Sequence, residues 1–227
     1  MRLPALVLLF AQVVICAGPK LGPKIKLFNG INLDGFYTYL EKHGAARDPN
    51  GVFRVRNGNI HISGTEYGYL ITEKGYGDYY LLAEFRWGKK TRPPREGKAR
   101  DSGILFHVSG EDKIWPRSLE FQMIEGGTGD LILVAGAAIT VNAQTKNDGR
   151  FNRFGKGPWK DVAGYRDPAG EVEKPVGKWN RLELWAEGDR VRFYVNGTLV
   201  NEGSNASPAK GQILLQSEGA EVEFRKI

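Results

Sequence analysis

The chain predicts an all-β fold, a two-sheet jelly-roll sandwich, and three observations carry that prediction. Apolar and polar residues alternate at period two in segment after segment. Beyond the first 18 residues no segment holds a 3.6-residue apolar period for three turns. Turn signals punctuate the alternating runs, above all Asn57-Gly58 and Asn196-Gly197, each flanked by short alternating stretches. Thirty glycines against 11 prolines, with 41% hydrophobic residues, fit a chain of many tight turns that still buries a core.

The elements follow in order. Residues 1–18 read as a secretory signal, with Arg2 at its start, an apolar run from Leu3 to Ala17 broken by Pro4 and Gln12, and the small pair Ala17-Gly18 for cleavage. The run is shorter than the roughly 20 residues a spanning helix needs, so export to the periplasm or beyond is expected and a membrane span is not. Residues 19–227 would then form a single jelly-roll domain. The one cysteine, Cys16, lies inside the signal, so the exported protein would carry neither a disulfide nor a catalytic thiol.

Strands are expected at Lys24–Phe28, Phe53–Val55, Ile60–Ile62, Tyr69–Thr72, Tyr79–Trp87, Ser102–Val108, Leu119–Ile124, Leu131–Leu133 and Ala138–Val141. Further strands are expected at Asn180–Ala186, Val191–Val195, Thr198–Val200, Gly211–Gln216 and Val222–Lys226. Gly149–Lys174, rich in Gly, Pro and charge, reads as a long loop. The net charge is +6, and Lys89, Lys90, Arg92, Arg95, Lys98 and Arg100 contribute much of it. With Pro93, Pro94 and Gly97 among them they read as a solvated loop. No aromatic residues interleave there to stack bases, so nucleic acid is not an expected partner.

Three strands carry an unusual polar face. In Tyr79–Trp87 the side opposite Leu81, Ala83 and Phe85 holds Glu84 and Arg86. In Ser102–Val108 the side opposite Ile104 and Phe106 holds Gly103, Leu105 and His107. In Leu119–Ile124 it holds Glu120 and Gln122. Placed in one sheet, Glu84, Arg86, His107, Glu120 and Gln122 would converge, combining carboxylates, a guanidinium, an imidazole and an amide for sugar hydroxyls and proton transfer. Trp115 and Tyr37, in neighbouring loops, could stack on a sugar ring.

A set of short motifs runs along the chain in order: Leu27-Phe28-Asn29-Gly30-Ile31-Asn32-Leu33, Phe53–Ile60, Tyr79–Arg86, Asp101-Ser102-Gly103-Ile104, Ser118-Leu119-Glu120-Phe121-Gln122, Gly177-Lys178-Trp179-Asn180, Val195-Asn196-Gly197, Ile213–Gln216 and Val222–Ile227. Together they resemble the bacterial 3-keto-disaccharide hydrolase family. No single motif is specific, but the ordered set spans nearly the whole mature chain. The resemblance implies a concanavalin-A-like lectin or glucanase fold and a carbohydrate substrate. It also implies a chemistry: a ketone at C3 acidifies the C2 proton, a base removes it, the C1 substituent leaves, and water adds back. In that scheme Glu120 or His107 is the base and Arg86 stabilises the enolate. Glu84, Gln122, Trp115, Ser102 and Gln216 line the substrate. A divalent metal on His107 and a carboxylate is compatible with the scheme, although no metal-ligand spacing appears and no cofactor is assigned. No oligomeric state is assigned either.

Two other readings compete. Glu120-Phe121-Gln122-Met123-Ile124-Glu125 looks like the Glu-x-Asp-x-x-Glu signature of retaining glucanases, in which a bulge would bring Glu120 and Glu125 to one face. Gln122 stands where that signature has Asp, and an amide cannot tune neighbouring carboxylates as Asp would. The third reading is a non-catalytic carbohydrate-binding module on the same fold.

Overall fold

Alternating segments become strands, and the strands divide between two antiparallel sheets. The computed structural model describes residues 21–154, 156–168 and 170–227, so the expected signal segment with Cys16 lies outside the described residues. Seventeen strands are present among those described: β1 (Phe36–Leu40), β2 (Gly44–Ala45), β3 (Phe53–Arg56), β4 (Asn59–Ile62), β5 (Gly68–Thr72), β6 (Tyr79–Thr91), β7 (Asp101–Ser109), β8 (Arg117–Ile124), β9 (Leu131–Val134), β10 (Ala138–Val141), β11 (Gln144–Lys146), β12 (Gly149–Phe151), β13 (Asn180–Glu187), β14 (Arg190–Val195), β15 (Thr198–Ser207), β16 (Gln212–Ser217) and β17 (Ala220–Arg225). One sheet has eight strands in the order β12-β9-β8-β7-β16-β5-β1-β2, and the other has nine in the order β11-β10-β15-β14-β13-β6-β17-β4-β3. No helix among the described residues is long and apolar enough to cross a membrane.

The inner faces meet in one apolar core. Ile104, Phe106, Leu119, Phe121 and Met123 from the eight-stranded sheet pack with Leu81, Ala83, Phe85, Leu184 and Phe193 from the other. Phe121 of β8 stacks on Phe193 of β14 with ring centroids 4.2 Å apart and planes 3° from parallel. Burying one such ring contributes about 1.5–3 kcal/mol. The two predicted hairpins form: φ is positive at both turn residues, 50° and 72° at Asn57-Gly58 and 51° and 85° at Asn196-Gly197, the signature of the tight turn that matches strand twist.

Five expectations are corrected. Gly149–Lys174 is not loop throughout, because Gly149–Phe151 is β12, paired with β9. Tyr37 lies in strand β1, not in a loop. Lys24–Phe28 is not a strand, although Leu27 and Phe28 both donate their amides to the Ile227 carbonyl. β6 runs on to Thr91, so the first part of the basic segment is strand, not loop. Most consequential for the site, β6 does not share a sheet with β7 and β8. It lies between β13 and β17 in the nine-stranded sheet. Its polar face therefore points out of the opposite side of the sandwich.

Candidate functional site

The outer face of the eight-stranded sheet is built by register. Leu105 of β7 stands between Glu120 of β8 and Leu214 of β16, and Ile71 of β5 and Tyr37 of β1 continue that row. In the adjacent row Gly103 pairs with Gln122, while Gln216 pairs with Tyr69, which pairs with Tyr39. One half of this face is apolar and aromatic: Tyr69, Ile71, Leu105, Val108 and Leu214 form a second cluster apart from the main core, with Tyr37 and Tyr39 against it. The other half is polar and acidic, with Glu120, Gln122, Gln216 and Asp101 all nearly buried.

Loops close the edges. In the segment joining β7 to β8, Asp112 accepts hydrogen bonds from the hydroxyls of both Tyr37 and Tyr69 at 3.0 Å, and the Trp115 ring lies 6.0 Å from that of Tyr67. In the basic segment Arg95 turns inward. Its guanidinium reaches Asp161 at 2.8 Å and Asp101 at 3.5 Å and donates to the Ala99 carbonyl. Its stem packs over Gly219, in the turn that carries Glu218. Expected to be a solvated loop, this segment instead forms one wall of the polar half.

Glu120 sits at the centre. It is 5% exposed, and its Oε1 has no hydrogen-bond partner, nor has the Oε1 of Gln216. Both atoms occupy space left open by Gly103, where an added Cβ would stand 2.2 Å from the Glu120 oxygen and 2.8 Å from the Gln216 oxygen. Burial, with the charges of Glu218 and Asp101, pushes the Glu120 carboxyl well above the usual carboxylate range. Asp101 accepts from Gln122 Nε2 at 2.9 Å; burial raises it, and Arg95 and Gln122 offset only part of that. Glu218, only partly exposed, is raised by burial and by Asp101 against the opposing pull of Arg95. Three carboxyls with elevated pKa, two amides and one guanidinium therefore meet here. Such an arrangement has the chemistry to hold and exchange protons.

Of the residues expected from sequence, Glu120, Gln122, Gln216, Trp115 and Tyr37 belong to this face, and four do not. Arg86 and Glu84 lie on the outer face of the nine-stranded sheet. There Arg86 is paired with Glu223 at 2.6 Å and stacked on Trp179, while Glu84 is held by Arg225 and Lys226. Ser102 points to the inner side, fully buried, and its hydroxyl donates to the Gln216 carbonyl.

His107 is turned away by a β-bulge. Phe106 pairs with Leu119 but Ser109 with Arg117, so His107 and Val108 together oppose Ser118. His107 takes φ 54°, and its ring lies edge-on to Tyr79 of the other sheet and to Phe106. Its Nδ1 donates to the Pro208 carbonyl, and burial lowers its pKa. Glu120 and His107 thus occupy opposite faces. The expected convergence of the two on one outer face does not form. Among the described residues no group of three or more His, Cys, Asp or Glu side chains is arranged to hold a metal ion.

The glucanase-like pair is absent too. The register between Asp101 and Phe106 is regular, with no bulge to bring Glu125 round. Glu125 is spent on Arg100, whose Nη1 and backbone amide donate at 2.8 and 2.9 Å, and on the Gly164 amide. The residues that sequence reasoning missed are Asp101, Glu218 and Arg95. Asp101 is two residues before Gly103 and Glu218 two after Gln216, so carrying the alternation one step further reaches Asp101 and points to Glu218.

Residues 23–227 match the family described as the 3-keto-alpha-glucoside-1,2-lyase-like domain. The chain belongs to that family. Among solved structures it is similar to a Parabacteroides distasonis protein described as a candidate glycosyl hydrolase, at 20% identity and TM-score 0.56 over 87% of this chain and 88% of that one. It is also similar to a carbohydrate-binding module from Bacillus subtilis, at 13% identity and TM-score 0.52 over 85% and 92% of the two chains. A third is an endo-β-galactosidase from Clostridium perfringens that releases GlcNAcα1-4Gal, at 12% identity and TM-score 0.52 over 94% and 63%. At these identities the likeness is one of fold, and the fold is the jelly roll that the sequence predicts. A sequence search of curated proteins gives no significant match. Membership of that family makes the chain carbohydrate-active.

Proposed function

We propose that this protein cleaves 3-keto-glycosides by removing the C2 proton and expelling the C1 substituent, with water adding across the new double bond, and that Glu120 is the base. The observation that carries the reading is the Glu120 carboxyl: buried, centred on an outer sheet face, with an unpartnered oxygen aimed into the space above Gly103. A raised pKa suits a base that works near neutrality, because the carboxylate then binds the abstracted proton more tightly. Gln216 and Gln122 supply amide groups for the sugar's oxygens, and Tyr67 and Trp115 supply ring faces at the rim. Arg95, not Arg86, is the guanidinium that stands by the cluster and offsets its negative charge. The family match supports the 3-keto substrate class.

The test is to incubate the pure protein with plain and 3-keto disaccharides in deuterated water and follow both products and C2 exchange. Turnover of the 3-keto substrate with C2 exchange is the expected result, and cleavage of the plain disaccharide alone would overturn it. The second reading, a binding module without catalysis, has the Bacillus subtilis fold relative in its favour, and it predicts saturable sugar binding with no turnover of either substrate. Export belongs to the same proposal. N-terminal sequencing of the protein from its native host should find the chain starting after residue 17 or 18, and an intact Met1 in the cytosol would refute it.

A further inference from the structure

We propose that Glu218 is the acid that protonates the departing C1 oxygen, that Asp101 and Arg95 position it, and that the leaving group lies on the Tyr67–Trp115 side of the site. The inference rests on the reading of the site as a 3-keto-glycoside lyase and divides its two proton transfers between two carboxyls.

The geometry separates the carboxyls by their surroundings. Glu120 is mid-strand in β8, and its cross-strand neighbours Leu105 and Ile132 are apolar. Glu218 is in the turn between β16 and β17, just past Ser217, which pairs with Gly68. That turn is fixed against the basic segment: the Arg92 amide donates to the Gly219 carbonyl at 2.7 Å, and the Arg95 stem lies over Gly219. Glu218 is partly exposed where Glu120 is almost fully covered, so it is the carboxyl that a bulky departing group can reach. Tyr67 lies within electrostatic reach of Glu218, Arg95 and Asp101, and its ring meets Trp115. The aromatic rim and the partly exposed acid therefore share one end of the site.

The charged and titratable groups facing Glu218 are Asp101 of β7, Arg95 of the preceding loop, Glu120 of β8 and Tyr67. Asp101 and Glu218 lie within electrostatic reach of one another, and the guanidinium beside them is already shared with Asp161, so the two cannot both ionise freely and the pair retains a proton at neutral pH. Asp101 is tied to Gln122 and Arg95, which leaves the partly exposed Glu218 to present that proton. The step balances. Glu120 takes the C2 proton, and the C–H electrons become the enolate. As the C3 ketone re-forms, the C1–C2 double bond forms and the C1–O bond breaks. The electrons of that bond stay on the leaving oxygen, which takes the Glu218 proton and departs as an alcohol. Addition of water to C1 and return of a proton to C2 complete net hydrolysis and reset both carboxyls.

An acid for the leaving oxygen matters only when that oxygen is a poor leaving group. The experiment compares methyl 3-keto-glucoside with 4-nitrophenyl 3-keto-glucoside in the wild type, Glu218→Gln and Glu218→Asp. Glu218→Gln should lose at least about 10²-fold in kcat on the methyl substrate and less than about 10-fold on the nitrophenyl one, while retaining C2 exchange. Glu218→Asp, which keeps the proton but shortens the reach, should fall between. The basic limb of the methyl-substrate pH profile should vanish in Glu218→Gln. In Asp101→Asn it should move to lower pH, because the charge that raises Glu218 is gone. Equal losses on both substrates, or no loss on the methyl one, would overturn the assignment while leaving the lyase reading intact. A wild type inactive on both 3-keto substrates would instead overturn the lyase reading.

Discussion

Both sheets carry glutamates on their outer faces, and the two sets live differently. On the nine-stranded sheet the register brings an arginine opposite Glu84 and Glu223: Arg225 stands across from Glu84, and Arg86 across from Glu223. Burial alone would raise Glu84, but hydrogen bonds from Lys226 and Arg225 outweigh it and hold the carboxyl below its ordinary value. Glu221 is likewise held low, by His61 and the Lys90 amide. On the eight-stranded sheet Glu120 faces Leu105 and Ile132, and neither cross-strand neighbour is charged. The same residue type at the same period becomes a structural ion pair on one face and a buried, unpaired carboxyl on the other. What differs is the residue one strand away.

The largest effects should come from disturbing the unpaired face. Glu120→Gln keeps shape and should cost at least about 10²-fold in turnover of a 3-keto-glycoside while the circular dichroism spectrum stays native. Gly103→Ala should cost about 10-fold or more. Its new Cβ would meet the movable end of Glu120, so the protein folds but the carboxylate is displaced. A thermal melt should show that Glu120→Gln is the more stable protein at neutral pH, by about 2–4 °C for each kcal/mol gained. The sign follows from linkage. A carboxyl raised on folding binds a proton that the unfolded chain has released, so it weakens the fold as pH climbs from its unfolded pKa towards its folded one. Glu173 adds to that trend. Burial raises it to about 8, against the hydrogen bonds from Thr128 and Trp87, so Glu173→Gln should flatten the loss of stability between about pH 4.5 and 8.

The smallest effects belong to the paired face. Arg86→Ala and Glu84→Gln should leave turnover within about twofold and cost about 1 kcal/mol or less in a denaturant titration. Glu84 works in the opposite pH direction: its contribution is present above the unfolded pKa and is lost as pH falls through the lowered folded one. Loss of catalysis in Arg86→Ala would erase the contrast between the faces.

Within a strand, the side each residue takes was legible. Glu120, Gln122 and Gln216 could be read outward because period two is local. Sheet membership was not legible. β6 finds its partners about 100 and 140 residues further on, at β13 and β17, and nothing in Tyr79–Trp87 announces that. Glu84 and Arg86 were therefore correctly judged outward-facing but given to the wrong sheet. His107 failed for another reason. Phe106-His107-Val108 continues a clean alternation in sequence, and only the pairing with β8 reveals the extra residue. Asp101 and Glu218 lay one step beyond residues already chosen, at strand ends where alternation alone gives weak guidance.

The bulge at His107 also acts as a parity change in the chain. Before it, odd-numbered residues of β7 face outward. After it the even-numbered Val108 does, and the strand leaves the sheet with its phase reversed. Across the bulge the two strands stay in step, with Ser109 opposite Arg117 as Phe106 is opposite Leu119, and the loop that begins at Gly110 leaves in the phase that brings Asp112 to the hydroxyls of Tyr37 and Tyr69. Deleting the one residue at 107 would keep that phase, with Val108 alone opposite Ser118 on the outer face it already occupies, and would remove only the imidazole packed against Tyr79 and Phe106. The extra residue is an inward peg that the strand carries without disturbing how the roof over the aromatic half of the face is hung.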